Sequence, residues 1–169
     1  MYKILSKRLF SENVAQLVIE APLIARSRRA GHFVMVRVDE HSERMPLTIS
    51  DADVEQGTIT LVVQRIGVSS AKLMALEVGD ELHNLVGPLG KATTIQHFGT
   101  VVCACGGVGA APMLPIAQAL KQAGNRVITI LAARTAELII LKDQLAAVSD
   151  ELIIMTDDGS LGQQGLVTA

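Results

Sequence analysis

Two hydrophobic periods meet near residue 98 of this 169-residue chain. Before that point, short runs of β-type residues are separated by turn residues: Tyr2–Phe10, Val14–Glu20, Phe33–Val38, Leu47–Ser50, Thr58–Arg65 and Glu81–Val86. The alternation is clearest in GTITLVVQRIG. Thr58, Thr60, Val62 and Gln64 fall on one face, Ile59, Leu61, Val63 and Arg65 on the other, and Gly57 and Gly67 bracket the run. Many short strands at close spacing predict an antiparallel sandwich or barrel. One helix is expected among them, over SSAKLMALEVGDEL and ending at Gly79.

After residue 98 the pattern becomes strand–helix–strand–helix–strand. Thr100–Cys105 is a continuous apolar run, as expected of a strand buried on both faces. Pro112–Ala123 carries Leu114, Ala117 and Leu120 at helical spacing and stops at Gly124-Asn125. Arg126–Ala132 reads as the second strand, Glu137–Val148 as the second helix and Glu151–Met155 as the third strand. Such a βαβαβ unit has parallel strands joined by right-handed crossovers. The expected domains are therefore residues 1–97 and 98–169, a β-barrel followed by a doubly wound α/β unit.

Composition narrows the function. A net charge of -2, no Trp, one Tyr and three Phe argue against nucleic-acid binding, which needs a basic face and stacking aromatics. With 49% hydrophobic residues the chain can build a core, yet it has no apolar stretch of about 18 residues that would span a membrane. The N-terminus lacks the apolar region and cleavage site of a signal peptide. Cys103 and Cys105, two apart in one strand, read as buried reduced thiols, and a cytoplasmic location follows as the expectation. His32, His41, His83 and His97 show no metal-ligand spacing, and no constellation suggests acid–base or nucleophilic catalysis.

Four motifs can carry chemistry. Gly106-Gly107-Val108-Gly109-Ala110-Ala111-Pro112 follows a strand and opens a helix, where bare backbone N–H groups and the helix dipole favour a phosphate. It is not the G-x-G-x-x-G fingerprint, and a glycine-rich turn with no ligand would look similar. Arg44-Met45-Pro46-Leu47-Thr48-Ile49 could hold a phosphate or a flat ring, or be an exposed Arg before an ordinary edge strand. In Gly67-Val68-Ser69-Ser70 a serine could cap the following helix, and the same N–H groups could bind a pyrophosphate. Thr156-Asp157-Asp158-Gly159-Ser160 stands at the C-terminal end of a strand, where α/β sheets bind ligands, or is simply a polar turn.

In this order, with Gly87-Pro88-Leu89-Gly90 between them, the motifs resemble those of the ferredoxin–NADP+ reductase superfamily. Within it the chain is most similar to the electron-transfer subunit of dihydroorotate dehydrogenase B and the small subunit of NADH-dependent ferredoxin:NADP+ oxidoreductase (sulfide dehydrogenase). The resemblance covers essentially the whole chain. It implies a six-stranded antiparallel barrel that binds FAD and an α/β domain that binds NAD(H) or NADP(H). It also implies flavin-mediated electron transfer to a larger partner subunit or to a ferredoxin.

Carried over residue by residue, the resemblance places Arg44, Pro46, Leu47 and Thr48 along the flavin, with Thr48 at the reactive N5 edge as the catalytic contact. Val63 and Gln64 would line the ribityl side, and Gly67, Ser69 and Ser70 would hold the pyrophosphate. Gly106, Gly107, Val108, Gly109 and Ala110 would form the pyridine-nucleotide loop, with Pro112 opening the helix and Arg134 and Asp157 at the adenosine ribose. Longer relatives are expected to add strands, a C-G-P motif and a cysteine cluster for [2Fe-2S]. Cys103 and Cys105 do not match those ligands. Ending at Ala169 would leave Thr100–Cys105 as a sheet edge. The competing expectations are a flavin-binding or subunit-contact module without turnover, and a flavin reductase serving a soluble acceptor.

Overall fold

The computed structural model describes residues 2–166. The chain divides into two compact units, Met1–Thr93 and Thr94–Ala169, a few residues before the expected boundary. Among the described residues no helix is long and apolar enough to cross a membrane.

The first unit contains β1 (Tyr2–Ser11), β2 (Val14–Glu20), α1 (Pro22–Ser27), β3 (Phe33–Arg37), β4 (Met45–Asp53), β5 (Thr58–Gln64), α2 (Val68–Ala75), β6 (Glu81–Leu82) and β7 (Asn84–Leu89). Its sheet runs β6-β1-β2-β5-β4-β3-β7, and every pairing is antiparallel. The two ends of this order are consecutive in sequence. They are one sixth strand interrupted at His83, whose N–H bonds the Val38 carbonyl at 3.1 Å. One half pairs with β1 through Leu82 and the other with β3 through Asn84, which curls the sheet into a nearly closed barrel.

Inside it, the face of β5 carrying Ile59, Leu61 and Val63 meets Leu17 and Ile19 of β2 and Ile49 of β4, all essentially inaccessible to solvent. The period-two pattern thus chose the core face. Two local features depart from the expectation. Helix α1 was not anticipated; Pro22 sits in its first turn, where the missing N–H costs nothing. Helix α2 stops at Ala75 rather than near Gly79. Leu76 turns extended, its carbonyl taken by Lys7 Nζ at 2.9 Å, and Glu77 is held by the Asp80 carboxylate at 2.8 Å.

The second unit contains β8 (Thr100–Gly106), α3 (Ala110–Gln122), β9 (Arg126–Ala133), α4 (Lys142–Val148), β10 (Glu151–Thr156) and β11 (Gln163–Gln164), in the parallel order β11-β10-β9-β8. Asn125 joins the end of α3 to the entry of β8. Its amide accepts the N–H groups of Phe98 (2.6 Å) and Gly99 (3.1 Å) and donates to the carbonyls of Gln96 (2.9 Å) and Leu120 (2.8 Å).

Strand β8 was expected to be buried on both faces; it is buried on one. Cys103 and Cys105 point inward, whereas Val102 is 61% exposed. Both crossovers step the same way across the sheet, so α3 and α4 pack together on a single face. The other face, with Val102 and Ala104 beside Ile128 and Ile130, has no helix over it among the described residues, and β8 ends the sheet. The second expected helix is also divided. A 3₁₀ turn at Ala136–Leu138 precedes α4, and between them Leu141 takes the left-handed conformation at φ 57.

Candidate functional site

The first unit holds a cavity of about 790 Å³. One side is the start of β4, with Met45, Pro46 and Leu47; another is the end of β5, with Val63 and Gln64. The entry to α2, from Ile66 to Ser70, closes one end, and the β3–β4 loop contributes His41, Ser42 and Glu43. The lining is therefore mostly apolar along the strands and polar at the helix start.

The two serines at that start do different work. Ser70 is buried and its hydroxyl is fully engaged. It accepts the N–H groups of Ile66 and Gly67, each at 3.0 Å, and donates to the Gly67 carbonyl at 3.0 Å. This reciprocal bonding pins the first turn. The N–H groups of Val68, Ser69 and Ser70 have no acceptor within a helix that begins at Val68, so the positive end of the helix dipole is presented with its donors. Ser69 lines the cavity half-buried.

Of the residues expected along a flavin, Pro46, Leu47, Val63, Gln64, Gly67, Ser69 and Ser70 converge on this cavity. Arg44 is exposed at the head of β4, and Thr48 is half-buried opposite Phe33; neither is part of the lining. Met45, Ile66, Val68 and Lys72 belong to the lining but were not singled out from the sequence. Lys72 had a signal: it stands three and four residues after Ser69 and Val68, on the same side of α2.

In the second unit, Gly106 ends β8, Gly107–Gly109 form one 3₁₀ turn and Ala110 opens α3. Gly107 has φ +52, in the region that favours glycine, and a Cβ there would meet nothing within 4 Å. Gly109 has φ -62 and ψ -14, open to any residue, and it too has no neighbour within 4 Å of its missing Cβ. Its bareness is therefore required neither by backbone strain nor by packing. Ala110 and Ala111 are small and buried, and Pro112 occupies the first turn, where proline is tolerated.

The same sheet edge carries the ends of β9 and β10, since the strands are parallel. Here the two loops are stapled. Ser160 Oγ accepts the Ala136 N–H at 2.8 Å and donates to Asp158 Oδ1 at 2.6 Å, while the Asp157 and Asp158 N–H groups bond the carbonyls of Ala133 and Arg134. The Ser160 hydrogen bonds hold the Asp158 carboxyl below the usual range. Arg134 and Asp157 stay exposed beside this staple.

The thiols take no part in either arrangement. Both are free and buried, and desolvation, with Cys103 adding to it, pushes the Cys105 thiol up to about 11. Among the described residues no group of three or more His, Cys, Asp or Glu side chains is arranged to hold a metal ion.

No family model matches the chain. A solved structure of an NADH-dependent reduced ferredoxin-NADP oxidoreductase, studied for flavin-based electron bifurcation, superposes with a TM-score of 0.94 at 39% identity, over 99% of this chain and 60% of that one. Barrel and parallel sheet together are thus the fold of the ferredoxin–NADP reductase superfamily. The dihydroorotate dehydrogenase B (NAD(+)) electron transfer subunit homolog of Thermotoga maritima is 40% identical over 166 residues, 98% of this chain and 58% of that protein. The electron transfer subunit of Streptococcus pneumoniae serotype 4 is 30% identical over 171 residues, 98% of this chain and 67% of that protein. The chain belongs to the family of dihydroorotate dehydrogenase B electron transfer subunits. It spans 58% of the Thermotoga maritima relative's length.

Proposed function

We propose that the chain is the flavin- and nucleotide-binding portion of an electron-transfer subunit, passing electrons between NAD(P)H and a partner subunit or an iron–sulfur or ferredoxin acceptor. The observation that carries this reading is the cavity of about 790 Å³, walled by Pro46, Leu47 and Val63 and ended by the first turn of α2. Its size lies within the range of about 300–1,000 Å³ typical of cofactor pockets. Apolar strand residues suit a flat ring, and the free N–H groups of Val68, Ser69 and Ser70 suit a diphosphate.

FAD, once bound, would accept one hydride, and with it two electrons, and release those electrons singly. The protein's share is to hold and orient it. Arg44, just before β4, and Thr48, on it, neighbour the lining residues Pro46 and Leu47 in sequence and would contact a ring lying there. Gly107 and Gly109 leave the start of α3 bare for a pyrophosphate, and Arg134 and Asp157, exposed at the same sheet edge, would meet the adenosine ribose. The names of the relatives, an electron transfer subunit of an NAD(+) enzyme among them, support the same division of labour.

Absorbance spectroscopy tests it. The purified chain should be yellow or take up FAD at micromolar concentration, and anaerobic NADH or NADPH should bleach the flavin band. Failure to retain FAD or FMN would refute the cavity's assignment. Retention without bleaching would leave a flavin-holding module and remove the electron-transfer step.

A further inference from the structure

We propose that Lys72 is a positioning residue: through Asp39 and Ser42 it clasps the β3–β4 loop (residues 38–44) in place as one wall of the cavity. The inference rests on the reading of that cavity as a flavin site.

The loop is a tight turn built on Asp39. Its carboxylate accepts the His41 N–H at 2.9 Å, and its carbonyl accepts the Ser42 N–H at 3.2 Å. Two cations hold this turn. Arg37, on the loop's own strand, donates to the carbonyls of Ser42 (3.2 Å) and Glu40. Lys72, on α2, donates to Asp39 Oδ2 at 2.8 Å and lies 3.4 Å from Ser42 Oγ. Among the described residues, Lys72 is the side chain whose hydrogen bonds join the loop to the helix whose first turn ends the cavity. It therefore fixes one wall of the cavity relative to the end that would meet a diphosphate.

The chemistry favours a clasp over a direct anion contact. The Lys72 hydrogen bond is the foremost of the interactions that hold the Asp39 carboxyl far below its usual range, so that carboxylate is ionised throughout ordinary pH. An ammonium already paired with a carboxylate at 2.8 Å has little charge left for a phosphate. The side chains of Lys72 and Asp39 are 43% and 42% exposed, a setting in which ion pairs add little to global stability. What the pair can set is local geometry.

The test uses the full chain with two probes, FAD and riboflavin, which share the ring and ribityl chain but not the phosphates. K72M and D39N should each weaken both flavins roughly three- to fivefold, the most an exposed pair of this kind is worth. K72R, which keeps a cation facing the Asp39 carboxylate and leaves the Asp39 turn intact, should restore binding toward the original. Amide exchange over residues 40–44 should accelerate in K72M even with no flavin present. If K72M weakens FAD alone and leaves riboflavin unchanged, Lys72 acts on the phosphates and the clasp is wrong. Unchanged affinities for both flavins with unchanged loop exchange also overturn it. A wild-type chain that binds neither flavin defeats the cavity's assignment instead, and the exchange comparison then decides the clasp alone.

Discussion

Gly109→Val separates nucleotide binding from folding, because the structure gives that glycine no folding duty. With φ -62 and ψ -14 the position is sterically open to any residue, and no heavy atom lies within 4 Å of the added Cβ. The fold loses only the modest preference for glycine over valine at a helix N-cap, less than about 1 kcal/mol. At about 2–4 °C per kcal/mol for a chain of this length, the melting temperature should move by no more than a few degrees. A bound pyrophosphate must approach the same bare backbone. There the valine branches would displace at least one charge-assisted hydrogen bond, about 1.5–3 kcal/mol, or roughly a tenfold to hundredfold loss of affinity. Gly107→Val is the control with the opposite structural sign. At φ +52 it carries left-handed strain of about 1–2 kcal/mol before any ligand is considered. Calorimetric titration with NADH and NADPH, beside thermal melts, reads both quantities. Equal nucleotide affinity in Gly109→Val and wild type would show that the loop does not carry the pyrophosphate. So would a loss of affinity that appears only with unfolding.

Two further outcomes follow from the hydrogen bonds. Ser70→Ala removes the hydroxyl that accepts the Ile66 and Gly67 N–H groups and should cost about 1 kcal/mol of stability, whereas Ser69→Ala should leave the melt unchanged and weaken FAD; denaturant titration and flavin binding separate them. Asp150 is held below the usual carboxylate range, chiefly by Lys121 at 2.5 Å. A depressed folded value stabilises above the unfolded pKa and is lost as pH falls through the folded one, so Lys121→Met should lower stability at neutral pH and match wild type at the acid end of a pH–stability curve.

Most of the architecture was legible because hydrophobic period reports burial. Ile59, Leu61 and Val63 were grouped on one face by alternation alone, and that face is the barrel's core. The strand–helix order after residue 98 likewise gave the parallel unit. What escaped depends on neighbours remote in sequence. The split at His83 exists because one strand must serve two partners, β1 and β3, to close the barrel. The open face of β8 escaped because an apolar run looks the same whether one face is covered or two, and only the packing of α3 and α4 together decides it. Helix α1, six residues long, is too short to show a period.

The candidate sites divide along the same line. Glycine and serine motifs announce helix starts, because those positions need particular backbone chemistry. They did not reveal that, of two serines that both border the cavity, Ser70 has its hydroxyl consumed by its own turn while Ser69 stands half-buried in the lining. The two helix starts are consequently built on different principles. At α2 the donors are surrounded by side chains: Ser69 lines the cavity beside them, and Lys72 and the β3–β4 loop supply a wall. At α3 the flanking positions are Gly106, Gly107, Gly109 and buried alanine, with Val108 the one larger side chain of the turn, so backbone is most of what is offered. Substitution can therefore tune the first site by degrees, in affinity and in ring environment. At the second, the first side chain added competes directly with the ligand. Flavin retention should accordingly fall in small steps across variants of the first unit, while nucleotide affinity should drop roughly tenfold to hundredfold at the first branched residue placed at Gly109.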